Sequence, residues 1–379
     1  MACVMRLIQS HRTNFSQSMN TTCNWGILGS AFIARKNWQA IRDAGNAKLI
    51  AIASRDLAKA EKFIDECQAQ VPHPIKPEAL GSYEALIERA DIDAIYIPLP
   101  TGLRKEWVIR AANAGKHVLV EKPIACTTAD AEEMIAACEK NNVQFMDGVM
   151  FMHNERLKTM RAALDRDQIG DVRRITSQFS FPGDEAFFGA NIRVSKELEP
   201  LGCLGDLGWY CVRLSLWAMN YARPLQVSGR MIKEINGVPI EFSGELMFEN
   251  GVTASFYNSF VTGHAQWANI SRTQGYLSLG DFVLPFAGDT TRYRITKSIF
   301  EINGCQFDMR EGRTKEHVRE AASNAPTSQE AGLFRNFSQL VIENRREEFW
   351  PRVSLLTQQV MDACMESARN NGAVTRLSA

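Results

Sequence analysis

From residue 24 to about 147 the chain alternates short apolar runs with longer segments whose apolar residues recur about every three to four positions. The apolar runs occupy 25–28, 48–53, 93–98 and 117–120, with a shorter one at 143–146. Helical periodicity fills the intervals at about 32–44, 56–69, 83–89, 103–114 and 128–141. Gly45, Gly102 and Gly115 stand where those helices should start or stop. Runs that are apolar throughout suit parallel strands covered by helices on both sides. Strands that alternate with helices, joined by right-handed crossovers, build a doubly wound parallel sheet. The prediction is an N-terminal α/β domain over 23–147.

After 147 the rhythm changes. A helix near 154–167 leads to a period-two strand at 171–181, an irregular aromatic loop over 183–200 and an apolar helix at about 204–219. Residues 225–303 alternate apolar and polar positions between glycine and asparagine turns, the pattern of an antiparallel sheet. Two last helical stretches follow, at 328–346 and 353–370. The second domain, 148–379, should therefore be α+β: a large, mostly antiparallel sheet with helices on one face. The alternation is strongest at 239–260, and the face left bare by the helices is expected to be apolar. Such a face is usually an interface, so a homodimer or dimer of dimers is expected.

Composition narrows the classes. A chain of 379 residues, 45% hydrophobic and 23% charged, accommodates two globular domains. With a formal net charge of zero and no dense Lys/Arg block, nothing advertises nucleic-acid binding. No apolar run approaches the roughly 18 residues of a membrane span. The nine cysteines form no CxxC pair and no metal-like spacing with histidine, which argues for a reducing, cytoplasmic setting and no metal site. The first 22 residues are polar and read as a disordered tail.

Two segments carry chemistry. In GILGSAFIA (26–34), Gly29, Ala31 and Ala34 fall on the G-x-G-x-x-G/A fingerprint of a nucleotide-binding strand–turn–helix, with Phe32 and Ile33 opening the helix. Alanine at the middle position departs from that pattern. At the tip of the second strand stand Ser54 and Arg55, with Lys59 one turn along the next helix. A hydroxyl and cations suit a 2′-phosphate, whereas a diol prefers a carboxylate at the strand tip. Asp56 comes too late for that position and is read as a helix cap. NADP is favoured over NAD. The second segment is Glu121-Lys122-Pro123, directly after the apolar run 117–120. A solvated Glu-Lys at a strand end is the plain reading. With the glycine turn upstream, however, the lysine is delivered to the crevice outside the carboxyl ends of the strands, where ligands bind.

These motifs, together with PLPT (98–101), FMDG (145–148) and LGDLGWY (204–210), resemble the glucose-fructose oxidoreductase/inositol dehydrogenase family of NAD(P)-dependent enzymes. The likeness covers nearly everything from Trp25 onward. It implies a Rossmann domain in which Pro98, Leu99, Thr101 and Glu121 join the glycine turn around the cofactor. It also implies a catalytic Lys122 beside the nicotinamide, with Asp206 and Tyr210 as an acid and a proton-transferring residue. Their i, i+4 spacing would place both on one helix face. Tyrosine rather than histidine at 210 resembles the NADP-linked xylose dehydrogenases and the dihydrodiol dehydrogenases. Arg193 matches a segment lining the substrate pocket, or serves as a structural ion-pair partner. The Lys122 ammonium and the nicotinamide cation of a bound cofactor are expected together to lower the Tyr210 pKa towards the working range.

The function implied is an NADP-dependent oxidoreductase moving hydride to or from a sugar, polyol or dihydrodiol carbon. The rival is a ligand-sensing regulatory protein on the same fold. A non-catalytic descendant would be expected to lose the lysine or the tyrosine, and both are present.

Overall fold

The computed structural model describes residues 21–166 and 169–377, so the expected tail lies outside the described residues except for its last two positions. The first sheet contains β1 (Cys23–Leu28), β2 (Ala47–Ala53), β3 (Glu78–Leu80), β4 (Ala94–Ile97), β5 (His117–Val120) and β6 (Phe145–Asp147). All pair in parallel, in the order β3-β2-β1-β4-β5-β6. The intervening helices are α1 (Phe32–Asp43), α2 (Leu57–Gln70), α3 (Tyr83–Ile87), α4 (Thr101–Asn113) and α5 (Thr128–Lys140). β4 is buried at every position, which is why its sequence shows no alternation. The strand order reverses between β1 and β4, and that switch point opens a crevice at the carboxyl ends of the strands.

The second half begins with α6 (Glu155–Asp165), β7 (Val172–Pro182), α7 (Glu185–Ala190) and α8 (Trp209–Ala218). It continues through β8 (Gln226–Ile235), β9 (Val238–Met247), β10 (Thr253–Ser259), β11 (Val261–Arg272), β12 (Gly275–Leu279), β13 (Thr290–Asn303) and β14 (Gln306–Arg319). It ends with α9 (Gln329–Ile342), α10 (Phe349–Arg369) and the short β15 (Thr375–Arg376). The sheet has nine strands in the order β14-β13-β12-β11-β7-β10-β9-β8-β15. Its neighbours are antiparallel except for β7 with β10.

Alternation along β9 and β10 sends Phe242, Leu246, Ala254 and Phe256 into the core. Ser243, Glu245, Ser255 and Tyr257 go to the other side. The bare face exists as expected, but it is mixed rather than apolar: serines, Arg174 and Glu245 surround Trp267, with Tyr276 and Phe286 further along it. α9 closes the other core. Trp25 of β1 lies 5.0 Å from both Phe334 and Phe337, and its indole N–H donates to Ser338 Oγ at 2.9 Å. Among the described residues no helix is long and apolar enough to cross a membrane.

Candidate active site

At the end of β1 the Gly29 N–H donates to the Ala53 carbonyl at 2.9 Å, tying this turn to the end of β2. Gly29 has φ +116°, and a Cβ there would stand 3.0 Å from Leu99 Cδ2, so the position needs glycine on both counts. α1 follows with Ala31 as its N-cap, which supplies no side-chain acceptor to the first amides. An uncapped first turn offers N–H groups and the positive end of the dipole to an anion. Phe32 is almost wholly exposed at this helix start, with Ile33 partly so.

The tip of β2 adds cations. Ser54 is buried, and its Oγ accepts the Asp56 N–H at 3.4 Å. Asp56 accepts the Ala58 N–H at 3.1 Å and caps α2, as the sequence suggested. Exposed Lys59 lies 3.8 Å from Asp56 Oδ2. Burial raises the Tyr83 phenol pKa, and the neighbouring Arg55 guanidinium opposes that rise. The Tyr83 hydroxyl is also 3.8 Å from the Cβ position of Gly29, which places Arg55 close to the glycine turn. Free amides, a hydroxyl and two cations around one turn fit the phosphates of NADP.

The loop after β4 is held from behind. Pro98 and Leu99 are buried. The Thr101 N–H and hydroxyl are both taken by the Glu199 carboxylate, at 3.0 and 2.6 Å. Arg104, also buried, donates to the Leu99 carbonyl at 2.7 Å, to Thr101 Oγ1 at 2.9 Å and to the Pro123 carbonyl. One guanidinium thus joins the loop after β4 to the loop after β5. Gly102 lets the 197–198 segment close against α4, since a Cβ there would meet the Glu197 carbonyl at 2.4 Å.

Just past the end of β5, Glu121 and Lys122 turn to different sides. Glu121 turns inward, where the Tyr96 hydroxyl donates to it at 2.6 Å and is itself held by Asn37 at 2.6 Å. Lys122 turns towards the second domain. Its Nζ donates to Asp206 Oδ1 at 2.6 Å and to the Asp206 carbonyl at 2.7 Å. The Arg193 Nε donates to the other carboxylate oxygen at 2.7 Å. Burial pushes the Asp206 pKa up, but the Arg193 and Lys122 charges outweigh it and hold the carboxyl well below the usual range. Lys122 Nζ also lies 4.8 Å from the centre of the Tyr210 ring.

Asp206 sits in a single π-helical turn, Leu204–Gly208, that runs into α8, and Tyr210 is the second residue of that helix. Turns of this kind recur at functional sites. A fully buried pair anchors the assembly: Arg213 Nη2 donates to Asp147 Oδ2 at 2.6 Å, and the Trp209 indole N–H donates to the same oxygen at 3.1 Å. The end of β6 therefore fixes the helix that presents Tyr210.

For the tyrosine, the protein's own groups act against the expected lowering. Burial raises the Tyr210 pKa well above its ordinary value, and Glu121 and Asp206 add to the rise. The ammonium meets the ring face rather than the oxygen, while the hydroxyl faces Met150 Sδ at 3.5 Å. The phenol is protonated at neutral pH. Lys122, Asp206, Tyr210 and Arg193 come together in one cluster, and Gly29, Ala31, Ser54 and Arg55 in the neighbouring cradle. Sequence reasoning missed Asn37, Tyr96, Glu199 and the Asp147–Arg213 pair. The lone arginine inside the apolar run of α8 was the available signal for that pair.

A model of the oxidoreductase family with an NAD-binding Rossmann fold, Gfo/Idh/MocA, matches residues 23–149, and one of the family's C-terminal domain matches 157–278. A NADP(+)-dependent D-xylose 1-dehydrogenase of Haloferax volcanii is 34% identical over 67% of this chain and 74% of its own length. A trans-1,2-dihydrobenzene-1,2-diol dehydrogenase of Xenopus laevis is 31% identical over 68% of this chain and 76% of its own. Among solved structures, KijD10, a 3-ketoreductase from Actinomadura kijaniata in complex with NADP and TDP-benzene, superposes with a TM-score of 0.76. It shares 26% identity, covering 91% of this chain and 98% of its own. The chain therefore belongs to the Gfo/Idh/MocA family of oxidoreductases.

Proposed function

We propose that this chain uses NADP(H) to interconvert an alcohol and a carbonyl on a sugar, polyol or dihydrodiol, with Lys122, Asp206 and Tyr210 handling the oxygen. The observation that carries this reading is the Lys122–Asp206 pair at 2.6 Å, against the Tyr210 ring and at the carboxyl edge that also holds the glycine cradle. Gly29, Ala31, Phe32 and Ile33 would receive the pyrophosphate, and Ser54, Arg55 and Lys59 the 2′-phosphate. Pro98, Leu99, Thr101 and Glu121 would shape the wall between cradle and cluster. The nicotinamide, when bound, gives or takes the hydride.

The protein's own groups manage charge and proton. Lys122 donates a hydrogen bond to the substrate oxygen and stabilises the negative charge that grows there as a carbonyl is reduced. Asp206 holds the ammonium in place and keeps its charge balanced. Tyr210, protonated and raised in pKa, gives its proton to that oxygen and recovers one from solvent. In oxidation the proton moves the other way, from substrate to a phenolate. Arg193, partly exposed, pins the far side of Asp206 and leaves guanidinium N–H groups for substrate hydroxyls.

The same reading divides the chain into a cofactor domain over 23–147 and a substrate and assembly domain over 148–379. It pairs two copies through the bare face of the large sheet, as a homodimer or dimer of dimers. The described cysteines are all free, which suits a reducing cytoplasm. The test is a panel of aldoses, polyols, nucleotide-linked keto-sugars and trans-dihydrodiols, followed by NADPH absorbance in both directions. Turnover with one of these classes supports the reading. Tight sugar binding without any NADP(H) turnover would favour a sensor instead.

A further inference from the structure

β13 and β14 form a hairpin far longer than the sheet it belongs to. The last residue of β13 paired to β12 is Thr296, so residues 297–303 and 306–312 pair only with each other. At about 3.3 Å per residue this free portion projects roughly 23 Å. Every residue from 297 to 315 is exposed. A two-stranded hairpin is marginal in water by itself and needs a third strand or a packing surface.

The register shows where that surface lies. Phe300 pairs with Met309 and Ile302 with Phe307, and residues paired across an antiparallel ladder share a face. These four are 57%, 68%, 60% and 63% exposed, and the two phenylalanine rings are 6.0 Å apart. The opposite face carries Glu301 paired with Asp308, and Ile299 paired with Arg310. Counting back along β13, the apolar face is the side that bears Thr296 opposite Tyr276 and Arg294 opposite Ser278. Tyr276, Ser278 and Arg294, with Trp267 and Phe286, line a groove of about 840 Å³ on the bare face of the large sheet. The apolar tip is thus a continuation of that bare face.

We propose that the β13–β14 hairpin is an arm that clasps a second copy of this chain, its Phe300–Ile302–Phe307–Met309 patch seated on the partner's bare sheet face. The proposal rests on the pairing through that face put forward above. Area supports a second copy over a smaller partner. Four side chains this exposed offer on the order of 400 Å² per arm. A twofold axis uses both arms, and with the surface they cover the total approaches about 1,600 Å², the size of a standard stable interface. Sidedness argues against a bilayer. A membrane-inserting tip would bury Glu301 and Asp308 on the back of the arm and the polar turn Asn303–Gln306 at its end.

The test is sedimentation velocity on the full chain, with Phe300→Asp/Phe307→Asp as the disrupting variant and Glu301→Lys as a control on the opposite face. A second variant replaces residues 298–311 by an Asn-Gly turn, which keeps the test valid should the aspartates unfold the arm. The arm supplies none of the active-site residues, so NADPH binding reports on folding in every variant. The wild type is expected to be dimeric at micromolar concentration. Both arm variants should weaken the dimer by on the order of 100-fold or more, as for two lost hot-spot anchors, with the control unchanged. A monomeric wild type would overturn the pairing and the arm together. A dimer that neither variant weakens would overturn the arm alone. Wild-type chain that stays monomeric and co-sediments with phosphatidylserine vesicles, losing this with the tip substitutions, would make the arm a membrane anchor instead.

Discussion

Replacing Asp206 with asparagine removes one negative charge from between two cations while keeping the shape. The Lys122 and Asp206 side chains are only 10% and 16% exposed, at 2.6 Å. At an effective dielectric near 20, a contact of that length is worth about 6 kcal/mol of Coulomb attraction before desolvation is charged against it. Arg193 is 42% exposed at 2.7 Å, so solvent reduces its share to about 1 kcal/mol. Removing one partner from a buried pair costs about 3–5 kcal/mol in practice, because the remaining charge is stranded. Part of that loss should appear as a lower melting temperature. The rest should appear in turnover, because an ammonium without its anchor no longer holds the substrate oxygen, and mispositioning costs about 10²-fold. The assay is kcat and KM with the best panel substrate, alongside NADPH binding by fluorescence titration. Asp206 touches nothing in the Gly29 cradle, so NADPH affinity should hold while kcat falls. Unchanged kcat, or kcat and NADPH affinity falling in step, would refute the reasoning.

Further expectations follow from the cradle, the phenol and a buried histidine. Arg55→Ala should raise KM for NADPH about tenfold, the lower end for a charge-assisted bond because the site is exposed, and leave KM for NADH alone; equal effects on both would contradict the 2′-phosphate role. Since the Tyr210 pKa is raised, the phenol stays protonated through neutrality. Reduction should therefore be flat with pH across that range and oxidation should rise with pH, with both trends lost in Tyr210→Phe; identical profiles in the two directions would count against a tyrosine proton carrier. Burial, helped by Arg213 and Lys158, pushes the His153 pKa down from 6.5 to about 3. The unfolded chain then binds the extra proton between those values, so this residue makes stability fall with falling pH, by up to about 1.4 kcal/mol per pH unit. Denaturant melts of His153→Phe should show a shallower acid slope there, and an unaltered slope would exclude the assignment.

Much of this was legible in the sequence because burial simplifies it. Parallel strands covered on both sides showed as apolar runs, and Asp56 declared itself a cap by lying just ahead of a helical pattern. β14, beyond the 225–303 stretch read as sheet, escaped because its few apolar residues, Phe307, Met309 and Val318, are too sparse to mark a strand. Residues 306–319 are mostly charged and polar. The free sheet face was foreseen, but its mixture of serines and charges with aromatics was not, since alternation locates two faces without saying which one the helices take. For Tyr210, sequence gave the neighbours but not the direction of approach: Lys122 lies over the ring, so burial and carboxylates decide the pKa. Long-range polar links such as Thr101 to Glu199, 98 residues apart, leave no local mark.

The claim at the centre is that Lys122 works on the substrate oxygen during hydride transfer rather than holding the two domains together. Single-turnover transfer from NADPH to the best panel substrate, by wild type and by Lys122→Met, tests it directly, with NADPH affinity and melting temperature measured on the same samples. The account predicts a transfer step slowed by on the order of 100-fold or more, as for a lost charge-stabilising group, with NADPH still bound and the fold intact. Transfer at the wild-type rate in Lys122→Met would contradict it.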